Sequence, residues 1–254
     1  MMPHLPSLAP RALHFAIANI VAFSIGGAFG ARWIATSHAQ GSRVDATGAL
    51  ELRVPHAKGA ITLDGDTDDP GWRMDPARTG AFVGADGVTL ARPHTEAKLV
   101  WGDGHLYVEL YAADQDIRAT HESADGPVWE SDSFHLVFSD GATERSFDVS
   151  PLGTLTDGER RVGPRAPGAA RPFDYRWNSG AHVSHEIDGT PNHPEDEDEE
   201  WVIEMAIPFE ALGLTGAKGE HIDLSMRRCD TTKTGERSCG AWGEGERRGR
   251  LVLD

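Results

Sequence analysis

Basic residues, cysteines and long helical segments are all scarce in this chain of 254 residues. Lys and Arg number 24 against 40 Asp and Glu, so the formal net charge is −16 at pH 7. A negative field of this size repels phosphate backbones and excludes general nucleic-acid binding. The two cysteines, Cys229 and Cys239, are too few for a disulfide-dense scaffold. The 29 glycines and 15 prolines favour many short strands over a helical bundle.

Sequence motifs of the common enzyme classes are also missing. The chain contains no Gly-x-Ser-x-Gly nucleophile elbow, no phosphate-binding glycine loop, no His-Glu-x-x-His zinc motif and no dinucleotide-binding glycine fingerprint. Glu130 and Asp132 form a carboxylate pair that could flank a glycosidic bond, but no other pattern supports a hydrolase. We therefore interpret the protein as non-catalytic.

An apolar segment without Asp, Glu, Lys or Arg occupies positions 12–31 and is bounded by arginines. Its twenty residues are long enough to cross a bilayer as a helix. Ser37–Ala39 places small residues where a signal peptidase reads them. Residues 1–39 are thus either a signal anchor or a cleaved signal peptide. Both alternatives predict an exported protein, periplasmic or at the cell surface, that is membrane-anchored or secreted.

The rest of the chain divides into a linker at residues 40–48 and one domain at residues 49–254. Export to an oxidising compartment bears on Cys229 and Cys239, which lie ten positions apart around the turn-forming Lys233–Gly235. The two cysteines could face each other across a hairpin. A disulfide is then favoured over two free thiols.

Strand patterns recur along the predicted domain, whereas long helical patterns do not. Two pairs of alternating segments are joined by tight glycine-containing turns and predict hairpins. We therefore expect an all-β fold, an antiparallel β-sandwich of jelly-roll type, preceded by the hydrophobic N-terminal helix. The strands are predicted at 95–101, 105–111, 133–138, 144–149, 201–207, 221–226 and 250–253, with helical turns at 70–74 and 208–212.

Acidic loops are the next feature of the sequence. Asp64, Asp66 and Asp68 alternate in one loop, a partial set of oxygen ligands for a hard cation such as calcium. Turn formation by Asx residues explains the same pattern without a metal. Two further segments, 158–171 and the carboxylate-rich 194–200, are predicted to be mobile surface loops.

Tryptophans outside the periodic segments point to a ligand. Trp129 follows Gly126 and Pro127 in a polar loop, where an exposed indole is costly unless it meets a partner. The flat C–H face of a sugar ring stacks well on indole while nearby carboxylates bind its hydroxyls. Trp177 is a second candidate of this kind. For both residues a place in the core or in a lid remains the alternative.

Five short segments follow one another in a recognisable order, at residues 61–72, 98–107, 129–138, 147–154 and 201–209. Together they resemble the family 9 carbohydrate-binding modules over about residues 58–254. The resemblance implies a β-sandwich that binds an oligo- or polysaccharide, often at its chain end, without cleaving it. It also implies a structural calcium ion in many members and an association with carbohydrate catabolism.

The resemblance further implies roles for individual residues. Two tryptophans of the family clamp the terminal sugar, and polar side chains hold its hydroxyls. Trp129 matches the first clamp tryptophan, Asp132 lies in the same motif, and Asp148 falls at a polar position on the neighbouring strand. Trp242 is either the second clamp residue or a strand aromatic that precedes it.

Two other functions stay open from the sequence. One is a structural or protein-interaction sandwich that has lost the sugar site. The other is a haem-binding redox sandwich, for which Met205, Met226 or a histidine would supply the axial ligand. The placement of Trp129, in the core or exposed beside a hollow, distinguishes the first of these from sugar binding.

Overall fold

A computed structural model describes residues 41–44, 50–73, 75–163, 172–244 and 249–254. These residues belong to one compact unit, His38–Asp254. The predicted signal peptide or anchor at 1–39, with its apolar segment, lies outside the described residues. Within the described ranges, no helix combines the length and the apolar character needed to cross a membrane.

The described ranges contain strands and three very short helices. The first strands are β1 (Arg43–Val44), β2 (Leu50–Val54), β3 (Ala77–Arg78), β4 (Thr95–Gly102), β5 (His105–Ala113), β6 (Ser133–Ser139) and β7 (Thr143–Val149). They are followed by β8 (Leu155–Arg161), β9 (His182–Asp188), β10 (Glu200–Pro208), β11 (His221–Thr231), β12 (Arg237–Trp242) and β13 (Gly249–Leu253). The helices are α1 (Pro70–Arg73), the 3₁₀ helix η1 (Val128–Glu130) and α2 (Phe209–Leu212).

The strands form two sheets. The larger sheet has the order β1-β2-β13-β11-β6-β7-β8, and β12 pairs with the second half of β11. The smaller sheet has the order β3-β4-β5-β10-β9. The β-sandwich predicted from the sequence is confirmed, but β13 and β2 pair in parallel, so the larger sheet is mixed. Parallel strands need a long connection, and here the chain from β3 to β12 connects β2 with β13.

Both predicted hairpins are present, as β4–β5 and β6–β7. The prediction of a mobile segment at 158–171 is wrong for its first part, because residues 158–161 belong to β8 and pair with β7. Polar and glycine residues gave this strand little intrinsic β propensity, and its pairing is a tertiary effect. Residues 164–171 lie outside the described part of the chain.

The acidic segment 194–200 is also more ordered than predicted. Asp198 is buried and accepts the backbone N–H groups of Ile117 and Thr190, each at 2.7 Å. Gly189 makes this possible, since its φ is +151° and a Cβ atom there would lie 2.2 Å from the Asp198 carboxylate. The carboxylate therefore joins two loops at one end of the sandwich.

The hydrophobic core lies between the two sheets. Trp201 of β10 packs edge-on against Phe134 of β6, with ring centroids 5.0 Å apart, and so joins the sheets. Ile203, Met205 and Ile207 share the buried face of β10, as their alternation predicts. Met205 and Met226, the possible haem ligands, are core residues packed among other apolar side chains.

The outer face of the smaller sheet is covered by the loop that precedes and includes α1. Glu204 of β10 points outward from the sheet and is nevertheless fully buried under this loop. Its carboxylate accepts the indole N–H of Trp72 and the backbone N–H of Gly65, both at 2.8 Å. Burial raises the pKa of Glu204, and these hydrogen bonds oppose that effect. The loop therefore covers the part of this outer face around Glu204.

We expect Glu204→Ala to lower the free energy of unfolding by about 3 kcal/mol, because two buried donors lose their acceptor and a cavity forms. Urea denaturation followed by tryptophan fluorescence measures this value. Glu210→Ala, an exposed position on α2, is the matched control and should change it by less than about 0.5 kcal/mol. Equal effects of the two variants would contradict the anchoring role of Glu204.

Candidate functional site

Trp129 lies at the surface, in η1, immediately before β6. It is 39% exposed, more than any other tryptophan of the described residues. The guanidinium of Arg237 on β12 holds this turn by donating to the carbonyl oxygens of Trp129 at 2.6 Å and Ser131 at 3.1 Å. Cys239, two residues along β12, forms a disulfide with Cys229 of β11. The exposed indole is thus carried by a firmly attached segment.

A row of aromatic rings extends from Trp129 along the edge of the larger sheet. Tyr175 stacks on Trp129 with ring centroids 5.5 Å apart and an interplanar angle of 28°. Phe173 follows at 6.3 Å from Tyr175, and the guanidinium of Arg160 lies 4.2 Å above the Phe173 ring. We call Trp129, Tyr175 and Phe173 the aromatic row.

Gly158 of β8 allows the aromatic row to approach the sheet. A Cβ atom at this position would lie 2.9 Å from the Tyr175 ring and 3.0 Å from Cβ of Phe173. Any larger residue would push the rings away from the strand. The absence of a side chain therefore sets the position of two of the three rings.

Polar side chains on the outer face of β6 and β7 lie beside the aromatic row. His135 and Asp148 are register partners, and Nδ1 of His135 is 2.7 Å from Oδ1 of Asp148. Val137 and Ser146 form the next pair along the same face. We call His135, Val137, Ser146 and Asp148 the polar floor. The Tyr175 ring lies over Gly158, the register partner of Ser146. Burial, and after it the negative charge of Asp148, raises the pKa of Tyr175.

Two polar atoms of the floor lack a hydrogen-bond partner in the described structure. Oδ2 of Asp148 and Oγ of Ser146 are both buried and unpaired. An unsatisfied buried acceptor costs about 1–3 kcal/mol, so functional sites are a common place for such atoms. Asp148 thus lies on the outer face of β7, and its role in sugar binding stays a prediction.

A cavity of about 500 Å³ continues the outer face of the larger sheet beyond the floor. Three ion pairs line or border it: Arg160–Glu144 at 2.6 Å, Arg227–Glu244 at 2.9 Å and Arg250–Asp223 at 3.3 Å. We call this cavity the polar hollow. Because each cation there has an anionic neighbour, the hollow suits a neutral polar ligand better than a highly charged one.

Asp132 does not lie in the polar floor, which corrects its assignment as a sugar-binding carboxylate. The residue is fully buried, and its two oxygens accept the backbone N–H groups of Arg118 and Thr231, each at 2.7 Å. Burial, and next the nearby charge of Asp114, raises the pKa of Asp132 to about 8. Its role in this structure is to hold the chain between Trp129 and β6.

Trp177 and Trp242 also lie away from the aromatic row, and neither can provide a second clamp. Trp177 is half-buried and packs edge-on against Phe147 on the core side of β7, with centroids 6.2 Å apart. Trp242 is 4% exposed, and its indole N–H donates to Ser42 at 2.9 Å. Both rings fill space in the sandwich, the alternative that the sequence had left open.

The predicted cation loop does not gather its carboxylates. Oδ1 of Asp64 accepts the N–H of Asp66 in an Asx turn, and Asp68 pairs with Arg73 at 3.0 Å. Residues 64, 66 and 68 thus do not form a donor set that fits calcium. In the described part of the chain, one group of three carboxylates comes within 4.8 Å, namely Asp114, Asp132 and Asp230.

This buried carboxylate group already contains a cation. Arg228 donates to Asp114 at 2.6 Å and to Asp230 at 2.8 Å. With Asp132 bound to two backbone amides, the oxygens of the group are engaged by donors of the chain itself. The arrangement therefore fits an internal ion-pair network better than a calcium site.

Sequence comparisons give no relatives, whereas structural comparisons do. No protein-family model matches the chain, and no curated protein matches its sequence. The fold is similar to that of a Bacteroides uniformis protein to which carbohydrate binding has been ascribed. The TM-score is 0.57 at 14% identity, over 80% of this chain and 99% of the other.

The fold is also similar to a family 9 carbohydrate-binding module from Caldicellulosiruptor kristjanssonii, at TM-score 0.54 and 14% identity. Its complex with cellotriose matches over 80% of this chain and 93% of the module. For its complex with glucose the shares are 80% and 95%. At this identity the likeness shows the fold, and the resemblance seen in the sequence is confirmed at that level.

The raised pKa of Asp132 predicts how stability depends on pH. The folded state binds the proton more tightly than the unfolded chain, so the stabilisation present below about pH 4 is lost as pH rises towards 8. We expect the free energy of unfolding to fall over this range in wild type and to fall less in Asp132→Asn. Urea denaturation at pH 4 to 8 tests this, and parallel slopes for both proteins would refute it.

Proposed function

We propose that this protein is a non-catalytic carbohydrate-binding domain whose site is the aromatic row together with the polar floor. The exposed face of Trp129 is the observation that carries the proposal. An indole held outside the core offers an apolar plane to the C–H face of a sugar. The adjoining floor offers the partly exposed imidazole of His135 to hydroxyl groups, and the buried carboxylate of Asp148 holds this ring in place.

The combination of a ring with buried acceptors is what a polyhydroxylated ligand needs. Stacking favours a flat apolar surface, whereas orientation comes from a few polar atoms at fixed positions. His135 and Asp148 are held by strand pairing and by their mutual hydrogen bond, so little entropy is lost when a ligand binds.

The similarity to solved structures supports the same function. The family 9 module of C. kristjanssonii has been seen with cellotriose and with glucose. Neutral glucose-type saccharides are accordingly the first ligands to test, and the balanced charges of the polar hollow agree with that choice.

Binding without hydrolysis is part of the proposal. Glu130 is exposed and lies beside His121 at 3.2 Å, whereas Asp132 is buried behind it. The two carboxylates therefore do not flank a common cleft, as paired acid–base catalysis would require. We further propose export, through the apolar segment at 12–31, and a part in polysaccharide catabolism, in which the domain would hold a glycan for other enzymes.

The alternative of a purely structural sandwich is less well supported. It expects Trp129 to be packed in the core, and the indole is instead exposed beside a hollow face. A haem-binding sandwich is likewise disfavoured, because Met205 and Met226 are fully buried among apolar residues of the core. An absorption spectrum without a Soret band would exclude haem.

We expect Trp129→Ala to weaken saccharide binding at least about tenfold, equivalent to about 1.4 kcal/mol, because the stacking surface is lost. A glycan array followed by isothermal titration calorimetry measures the effect. Trp129→Tyr, which keeps an aromatic plane, should recover part of the affinity.

Leu90→Ala is the matched control for this experiment, since Leu90 is an exposed apolar residue away from the aromatic row. It should bind as wild type does. If wild type binds no glycan, or if Trp129→Ala binds as well as Leu90→Ala, the proposed site is wrong.

A further inference from the structure

We infer that the site, if it binds saccharides as proposed above, takes an internal stretch of a neutral glycan chain laid along the sheet rather than a chain end held in a clamp. The inference rests on the proposed function and on three features of the outer face of the larger sheet. These are the contact between Trp129 and Tyr175, the length of the polar floor, and the polar hollow that continues it.

The first feature is the close contact of the two rings. Their centroids are 5.5 Å apart, which is a direct stacking contact. A sugar placed between two aromatic planes needs a van der Waals distance of about 3.5–4 Å on each side, or about 7–8 Å in all. Trp129 and Tyr175 therefore cannot enclose a sugar between them, and they act as one surface with a single outer face.

No other tryptophan of the described residues can complete an enclosure around Trp129. Trp177 and Trp242 are packed into the sandwich, and Trp72 and Trp201 are buried. Trp101 of β4, in the smaller sheet, packs against His56 and Phe209. Within the described residues, no second tryptophan therefore stands opposite Trp129 to stop a chain from continuing past the sugar stacked on it. A terminal unit then has no stacking contact that an internal unit lacks.

The second feature is the extent of the face beside the aromatic row. His135, Val137 and Ser139 lie on the same outer face of β6 and cover four residue steps, about 13 Å of strand. The rings contact one another in succession beside this face, from Trp129 through Tyr175 to Phe173. A monosaccharide on Trp129 would leave most of this surface unused.

The third feature is the polar hollow at the far end. Its volume of about 500 Å³ lies within the range of small-ligand sites, and Val137, Ser139 and Arg160 connect it with the floor and the row. Arg227 and Glu244 are partly exposed there and retain donors and acceptors for hydroxyl groups. Sugar units beyond the one on Trp129 would therefore gain contacts in the hollow.

Chain length and end chemistry test this inference. Isothermal titration calorimetry compares glucose, cellotriose, cellohexaose and borohydride-reduced cellohexaose, together with the corresponding xylose series. We expect the hexasaccharide to bind at least about tenfold more tightly than the monosaccharide. Reduction of its end should change the affinity less than twofold, because the end makes no essential contact.

A variant that fills the hollow gives a second measurement. Ser225 lies on the outer face of β11 and lines the hollow, so Ser225→Tyr should block it. We expect this variant to lose the advantage of the hexasaccharide while it keeps the affinity for the shortest ligand that wild type binds. Ser238→Tyr, on exposed β12 outside the hollow, is the matched control and should behave as wild type.

The outcomes separate the two proposals. If no saccharide of either series binds, the proposed function fails and the inference falls with it. If saccharides bind but the monosaccharide matches the hexasaccharide, or if end reduction abolishes binding, the inference alone is wrong. Unchanged length dependence in Ser225→Tyr would also overturn the assignment of the hollow.

Discussion

A single buried carboxylate sets the position of the candidate site. Asp132 accepts one backbone N–H from Arg118 and one from Thr231, and thereby joins three segments at the start of β6. Trp129 lies three residues earlier, on the turn that this carboxylate and Arg237 secure from two sides. The fixed backbone keeps the indole at the surface. An apolar ring on a free loop would instead collapse onto the nearest apolar surface.

The two outer faces of the sandwich differ because of what covers them. On the smaller sheet, Glu204 holds the α1 loop by accepting the indole N–H of Trp72, and this loop covers part of the face. On the larger sheet, the covering segment is short and contributes only a row of rings at one edge. Asp148 and Ser146 each keep a buried oxygen without a hydrogen-bond partner on this face, as Glu109 does on the smaller sheet. The two faces thus differ in the segments that cover them.

Local patterns in the sequence predicted the hairpins and the exposed Trp129. They could not show which polar residues are buried and which lie beside Trp129 at the surface. Asp132 belongs to the same motif as Trp129, and only the tertiary contacts with Thr231, 99 positions away, show that it is buried. His135 was missed although it could have been found. It alternates with core residues of a predicted strand and lies opposite Asp148 in the predicted hairpin. Tyr175 had no local signal, because its position depends on Gly158 in a strand that the sequence did not reveal.

The strand order also fixes where the domain is tethered. β1 and β8 are opposite edges of the larger sheet, six strand spacings or about 29 Å apart. The chain enters at the β1 edge, whereas the aromatic row borders β8. Residue 41, the first that the structure describes, therefore lies on the side of the sheet remote from the rings. A surface coupled to the domain at that residue would leave the opposite edge unobstructed.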